Sequence, residues 1–149
     1  MKLEEEISQK AFRNNKHKAI VNIIFSYNWL LTNHFKLLKP YDLTIQQFNI
    51  LRILRGQYPN PATVKLLKER MLDKMSDASR LVEKLRSKGL VDRKVSDKSR
   101  RNVDVLITQK GLDLLAEIDK KNSEFDQLIE NLDTRETEQL NNLLDKLRG

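Results

Sequence analysis

The sequence predicts a mainly α-helical protein carrying one small β-hairpin. Apolar residues recur at three- and four-residue spacing through most of the 149 residues. In one stretch, residues 90–107, that period gives way to alternation. Four Gly and three Pro leave few breaks elsewhere, and 39% hydrophobic with 33% charged residues is the balance of a folded globular chain. The length fits one domain, or a compact head joined to an assembly module.

A first long helix is expected from about residue 8 to residue 38. Ile20, Ile23, Ile24, Tyr27, Leu30, Leu31, His34, Phe35 and Leu38 form its stripe, and Pro40 stops it. That stripe is wider than one small neighbour covers, which points to burial against a partner chain, with an ordinary core helix as the alternative. Thr44 opens the next helix in capping-box spacing with Gln47, with Leu43 and Phe48 placed as a hydrophobic staple. Phe48, Leu51 and Leu54 supply its buried face. After the rigid break Tyr58-Pro59-Asn60-Pro61, Thr63 is placed to cap a short helix over residues 64–71, with Leu66, Leu67 and Met71 inward.

Asp73 is the expected N-cap of a helix over residues 74–88, and Gly89 stands where a glycine C-cap belongs. Ala78, Leu81, Val82 and Leu85 form its narrow apolar stripe, with Ser76, Asp77, Arg80 and Lys84 opposite. Leu90, Val91 and residues 93–95 then read as one strand, and Val103, Val105 and Ile107 as a second. Between them lies a basic turn, Ser96-Asp97-Lys98-Ser99-Arg100-Arg101-Asn102. Thr108 caps a helix expected to run to about residue 131. Asp133 and Glu136 open the last one, which carries Leu140, Leu143, Leu144 and Leu147.

Charge is distributed unevenly. Residues 61–101 hold 13 Lys/Arg against 6 Asp/Glu, so the whole formal net charge of +7 is matched within that stretch. Residues 113–149 hold 5 basic and 10 acidic residues. A polyanion partner for the middle of the chain follows. With no cysteine, disulfides, thiolate metal sites and thiol catalysis are excluded. His17 and His34 alone do not make a zinc site, so no metal and no cofactor are expected. No apolar run reaches the ~18 residues of a membrane span, and the acidic start is unlike a signal peptide, so a cytoplasmic protein is expected. No catalytic constellation has a recognisable context, and an enzyme is not expected.

The order of elements suits double-stranded DNA. A short bracing helix, whose first amides near Thr63 can face a phosphate, is followed by a turn and a helix with a polar outer face. Such a helix enters the major groove, about 12 Å wide, while a basic hairpin reaches the adjacent minor groove. Residues 43–111 resemble the MarR family of bacterial winged helix-turn-helix regulators. The resemblance is carried by Leu43-Thr44-Ile45-Gln46-Gln47-Phe48, by Arg80-Leu81-Val82-Glu83-Lys84-Leu85 and by Lys88-Gly89-Leu90-Val91. It continues through the wing residues Ser99-Arg100-Arg101 and the exit Leu106-Ile107-Thr108-Gln109-Lys110-Gly111. Two departures stand out. Ser99 occupies a place commonly acidic in that family, with Asp97 two residues earlier, and Asp73-Lys74-Met75-Ser76-Asp77 replaces a Ser/Thr-rich helix opening.

The resemblance implies a three-helix core with a hairpin wing over residues 43–108. Dimerisation helices would flank it, at 1–42 and 109–149. It also implies a homodimer, probing a pseudo-palindromic operator as a ligand-responsive repressor. DNA-contacting residues are then expected to be Thr63, Lys74, Ser76, Asp77, Arg80, Lys84, Lys98, Ser99, Arg100 and Arg101. Asp77 has two readings, accepting from a cytosine or capping the helix. Tyr27, Trp29, His34 and Phe35 are candidates for a small-molecule inducer pocket, or are plain core and interface residues. Two rival functions stay open at the level of sequence: a non-specific architectural DNA binder, and a helical adaptor whose basic face meets an acidic protein.

Overall fold

Short polar side chains fix where the helices begin. In the computed structural model, which describes residues 1–149, Asn14, Thr44, Thr63, Asp77, Thr108 and Asp133 each accept a hydrogen bond from the backbone N–H three residues on, over 2.8–3.2 Å. Each satisfies one of the amides that a helix start leaves without a partner. Thr44–Gln47 and Asp133–Glu136 close as full capping boxes. The elements run α1 (Leu3–Glu6), α2 (Asn15–Leu38), α3 (Ile45–Gln57), β1 (Ala62–Thr63), α4 (Val64–Arg70), α5 (Ala78–Ser87) and β2 (Val91–Ser96). They continue with β3 (Ser99–Ile107), α6 (Gln109–Asp119), α7 (Asn122–Asp126) and α8 (Thr134–Arg148). No helix is long and apolar enough to cross a membrane.

The core sits where α3, α4 and α5 meet the sheet. Ile50, Leu51 and Leu54 of α3, Leu67 of α4, Val82 and Leu85 of α5, and Val105 and Ile107 of β3 are buried in one cluster. Leu38 joins it from the end of α2, and Leu115 and Ile118 from α6. The sheet is antiparallel in the order β1-β3-β2, with Ala62 opposite Val105 and Val91 opposite Ile107. This is a mainly helical fold with a small three-stranded wing, the winged helix arrangement expected from the sequence.

Four boundaries differ from the sequence-based expectation. The long helix begins at Asn15 rather than near residue 8, because Asn14 caps it and the preceding chain folds back. There Leu3 is buried and Glu4 pairs with Lys18. The helix expected from residue 74 begins at Ala78, because Asp77 and not Asp73 is its N-cap. Strand β1 was not anticipated; two residues pair only because α4 is carried against the hairpin. The helix expected to run to about residue 131 ends at Asp119 and gives way to α7 and a 3-10 turn over Gln127–Ile129. The bend brings Phe125 against Phe48, stacked at 6.1 Å, and against His34, edge-on at 5.1 Å.

Gly89 closes α5 with φ +73°, a conformation that costs a residue with a Cβ. Gly111 is demanded by space instead. A Cβ there would lie 2.5 Å from the Leu90 carbonyl oxygen and 2.7 Å from Ile107 Cγ1. Gly111→Ala is therefore expected to lower stability by about 1–3 kcal/mol, the usual penalty of overpacking, in urea denaturation followed by circular dichroism. The control is Gly56→Ala, in the last turn of α3, where a Cβ meets nothing within 4 Å and a helical glycine is relieved. That change is expected to leave stability unchanged or raise it.

Candidate nucleic-acid interface

Helix α5 has two unlike faces. Ala78, Val82 and Leu85 are buried against the core, while Ser79, Arg80, Lys84 and Arg86 are exposed. The acidic residue among them is neutralised locally. Glu83 accepts from Arg86 at 2.6 Å and lies 3.5 Å from Arg93, and the hydrogen bond from Arg86 holds its carboxyl below the usual range. Arg80 and Lys84 have no acidic partner, so their charge stays directed to solvent.

Both ends of α5 are fastened. At its start, Asp77 accepts from the Arg80 backbone N–H at 3.1 Å, so it caps the helix. At its end, Thr108 Oγ1 donates to the Gly89 carbonyl at 2.7 Å and Lys110 Nζ donates to the Lys88 carbonyl at 2.9 Å. Lys88 in turn reaches back to Asp42 and to Gln47 at the start of α3. The helix is presented as a rigid rod, which fixed side-chain placement requires.

The turn ahead of α5 departs from expectation. Lys74, Met75 and Ser76 lie outside the helix, so Ser76 and Arg80 do not share a helical face by four-residue spacing. Asp73 organises this turn. It accepts from the Met75 amide at 3.0 Å and from Gln46 Nε2 at 3.4 Å. The Ser76 hydroxyl, then these two donors, hold its carboxyl below the ordinary aspartate range. Lys74 donates to the Glu69 carbonyl and so closes the end of α4. The Thr63 hydroxyl is likewise engaged, as the cap of α4.

The wing also differs. Its turn is only Asp97-Lys98, and Ser99, Arg100, Arg101 and Asn102 belong to β3 instead of the tip. Val95 pairs with Val103 and Ser96 with Ser99, so Arg100, Arg101 and Asn102 lie between those pairs with no partner on β2. This bulge turns two exposed arginines away from the ladder. Asp97 forms no ion pair with them. The tip is held by serines: Ser96 Oγ accepts from the Lys98 amide at 3.2 Å and Ser99 Oγ from the Arg101 amide at 3.3 Å.

The four pocket candidates separate. Tyr27 and His34 line a cleft of about 300 Å³ between α2 and α3, with Leu30, Leu31, Ile45 and the turn residues Leu72 and Asp73. Trp29 lies instead beside Leu3 and Phe25, and Phe35 beside Leu43 and Lys88. Burial lowers the pKa of His34, so its imidazole is neutral at neutral pH. Gln46 and Asn49 were not anticipated in the cleft. Asn49 Oδ1 accepts from the Leu72 amide at 2.9 Å, so both bridge α3 to the turn that precedes α5. Their three-residue spacing on α3 was visible in the sequence, but the turn they reach was not.

Comparison with known proteins agrees with this geometry. Residues 41–102 match the model of the MarR family. No curated protein matches the chain in a sequence comparison. Among solved structures, a MarR-like transcription regulator from Bacillus cereus is 23% identical, with TM-score 0.80 over 90% of this chain and 96% of that one. A mutant MarR from E. coli complexed with operator DNA is 24% identical, with TM-score 0.80 over 93% and 99%. BpsR from Bordetella bronchiseptica, whose DNA binding is regulated by 6-hydroxynicotinic acid, is 20% identical, with TM-score 0.75 over 89% and 99%. At these identities the structures establish a shared fold, within which the matched segment spans α3 to the wing arginines. Residues 41–102 are thus similar to the MarR family, and the chain as a whole has the winged helix fold of these regulators.

Proposed function

We propose that this protein is a ligand-responsive repressor that binds a pseudo-palindromic operator as a homodimer. One observation carries the proposal. Arg80 and Lys84, the uncompensated cations of α5, stand on the outer face of a helix fastened at both ends, followed by a wing whose bulge holds Arg100 and Arg101. In this reading α5 enters the major groove. Arg80 and Ser76 contact base edges, and Lys84 and Lys74 grip phosphates. Asp77 acts by capping the helix. Lys98, Ser99, Arg100 and Arg101 follow the adjacent minor groove, where negative potential favours arginine. Operator DNA bound to the E. coli protein of the same fold supports this placement.

Assembly is proposed from exposed apolar surface. In the single chain Ile20, Ile24 and Tyr27 of α2 are each 55% exposed, and Leu143 and Leu147 of α8 are 64% and 63% exposed. Such patches on the terminal helices are what a partner copy would cover. Residues 1–42 and 109–149 would then form the dimerisation region around a reading domain at 43–108. Two-fold symmetry sets the half-sites one helical turn, ~10 bp, apart. An inducer is proposed for the cleft at Tyr27 and His34. Ligand-regulated DNA binding by BpsR supports that role, and Asp73 in the cleft wall offers a route from ligand to α5. Occupation of a promoter would repress, and the inducer would release it.

Selection from a random duplex pool tests the proposal directly. A specific regulator is expected to prefer its selected site over random DNA by ~10³ or more, whereas an architectural binder would not. Arg80→Ala is expected to change which bases are preferred. Lys84→Ala is expected to weaken all sequences alike and to flatten the salt dependence by about 0.9 in log–log slope per lost contact, or about 1.8 per dimer. Arg101→Ala should cost operator affinity about 1–3 kcal/mol at unchanged thermal stability. The opposite pattern, with Lys84→Ala altering base preference, would assign the reading face elsewhere.

The interface has its own test. Leu143 is exposed in the isolated chain, so Leu143→Asp leaves the core intact and penalises only a partner. Sedimentation of the wild type is expected to give a dimer at micromolar concentration, and of Leu143→Asp a folded monomer. A folded wild-type monomer at that concentration would refute the dimer.

A further inference from the structure

We infer that Met75 reads DNA, by contacting the C5-methyl group of a thymine in the major groove. The inference rests on the proposal that α5 is the groove-reading helix. Met75 is 94% exposed, two residues ahead of the Asp77 cap. Its place, and not its exposure alone, sets it apart, since it directly precedes the helix whose outer face carries Arg80 and Lys84. The backbone beneath it is fixed. Asp73 Oδ1 accepts the Met75 amide at 3.0 Å, the Asp73 carbonyl accepts the Ser76 amide at 3.3 Å, and Asp77 then starts the helix. Met75 therefore projects from an ordered turn at the leading end of α5.

Its surroundings select the partner. Leu72, the other exposed apolar residue of the turn, lines the cleft with Tyr27 and His34 and so has neighbours on its own chain. Met75 lines neither that cleft nor the ones beside Trp29 and Phe35. It is flanked by Lys74 and Ser76, followed by Arg80, and preceded by Lys68 and Arg70 at the end of α4. A single exposed methionine among charged residues does not suit an apolar protein patch or a lipid surface, which would need several such residues. It suits a polyanion that offers apolar points. In the major groove the thymine methyl is that point, and the first residues of a recognition helix are those that meet base edges. An unbranched, polarisable thioether adapts to such a contact better than a β-branched side chain.

Replacing thymine by uracil deletes only the methyl, and every hydrogen-bonding group stays. The test is a set of binding isotherms on the selected operator, with uracil placed at each thymine in turn. For the wild type, one thymine per half-site is expected to be sensitive. Uracil there should weaken binding about fourfold in one half-site and about fifteenfold in both, the ratios for burying one or two methyl groups. Met75→Ala is expected to bind thymine and uracil duplexes equally, with wild-type thermal unfolding, and Met75→Leu to keep most of the discrimination. Wild-type indifference to uracil at every thymine overturns the inference while leaving α5 as the reading helix. Sensitivity that persists in Met75→Ala assigns the methyl to another residue and also overturns it. Absence of any sequence preference in the wild type overturns the reading of α5 and this inference together.

Discussion

A single hydroxyl joins the parts that must move as one. Thr108 Oγ1 accepts from the Gly111 amide, starting α6, and donates to the Gly89 carbonyl that ends α5. The Thr108 amide meanwhile donates to Leu90 at the base of the hairpin, at 3.1 Å. Helix α5, the wing and α6 thus leave one point in fixed directions. Gly111 lets them come this close, since no side chain fits between Leu90 and Ile107. Without that knot, the buried stripe of α5 would still pack, but its outer face would have no set angle to the wing or to α6.

Around this knot the charges are sorted by use. Arg86 and Arg93 are spent on Glu83, Lys88 on Asp42, and Lys74 on the end of α4. Arg55 forms a two-contact pair with Asp119, at 2.7 and 3.3 Å, that ties α3 to α6. The other nine of the thirteen basic residues between 61 and 101 keep no acidic or carbonyl partner, among them Arg80 and Lys84 on α5 and the bulged arginines of the wing. A net charge count cannot make this distinction. Thirteen basic residues between 61 and 101 describe a field, and the pairing pattern decides which of them are available to a polyanion.

The turn of residues 72–77 is the least regular part of the reading head and the most connected. Asp73 links it to Gln46, Asn49 holds Leu72, and the same residues form one end of the Tyr27–His34 cleft. The cleft and the start of α5 thus share residues, joined by the Asn49–Leu72 bond at 2.9 Å and the longer Gln46–Asp73 contact at 3.4 Å. Met75 stands exposed on the same turn, while Leu72 and Asp73 line the cleft.

Much of the architecture was legible locally. Capping residues three positions ahead of their donors, the helical stripes of α3 and α5, and the switch to alternation after Gly89 all act over a few residues, so the chain itself declares them. Where two local signals competed, tertiary contacts decided. Asp73 and Asp77 both suit an N-cap; Asp73 is engaged in the turn by the Met75 amide, the Ser76 hydroxyl and, across the fold, Gln46, and Asp77 takes the cap. The apolar positions of residues 109–131 suit one helix, yet it ends at Asp119, and the bend sets Phe125 stacked on Phe48 and edge-on to His34. The arginines read as a tip became a bulge because serine hydroxyls tightened the turn to two residues. Periodicity and caps are properties of neighbours along the chain, so the sequence alone determined the element types, their order and the reading module. Register, helix breaks and the membership of the cleft depend on residues far apart in sequence, and only the packed structure could decide them.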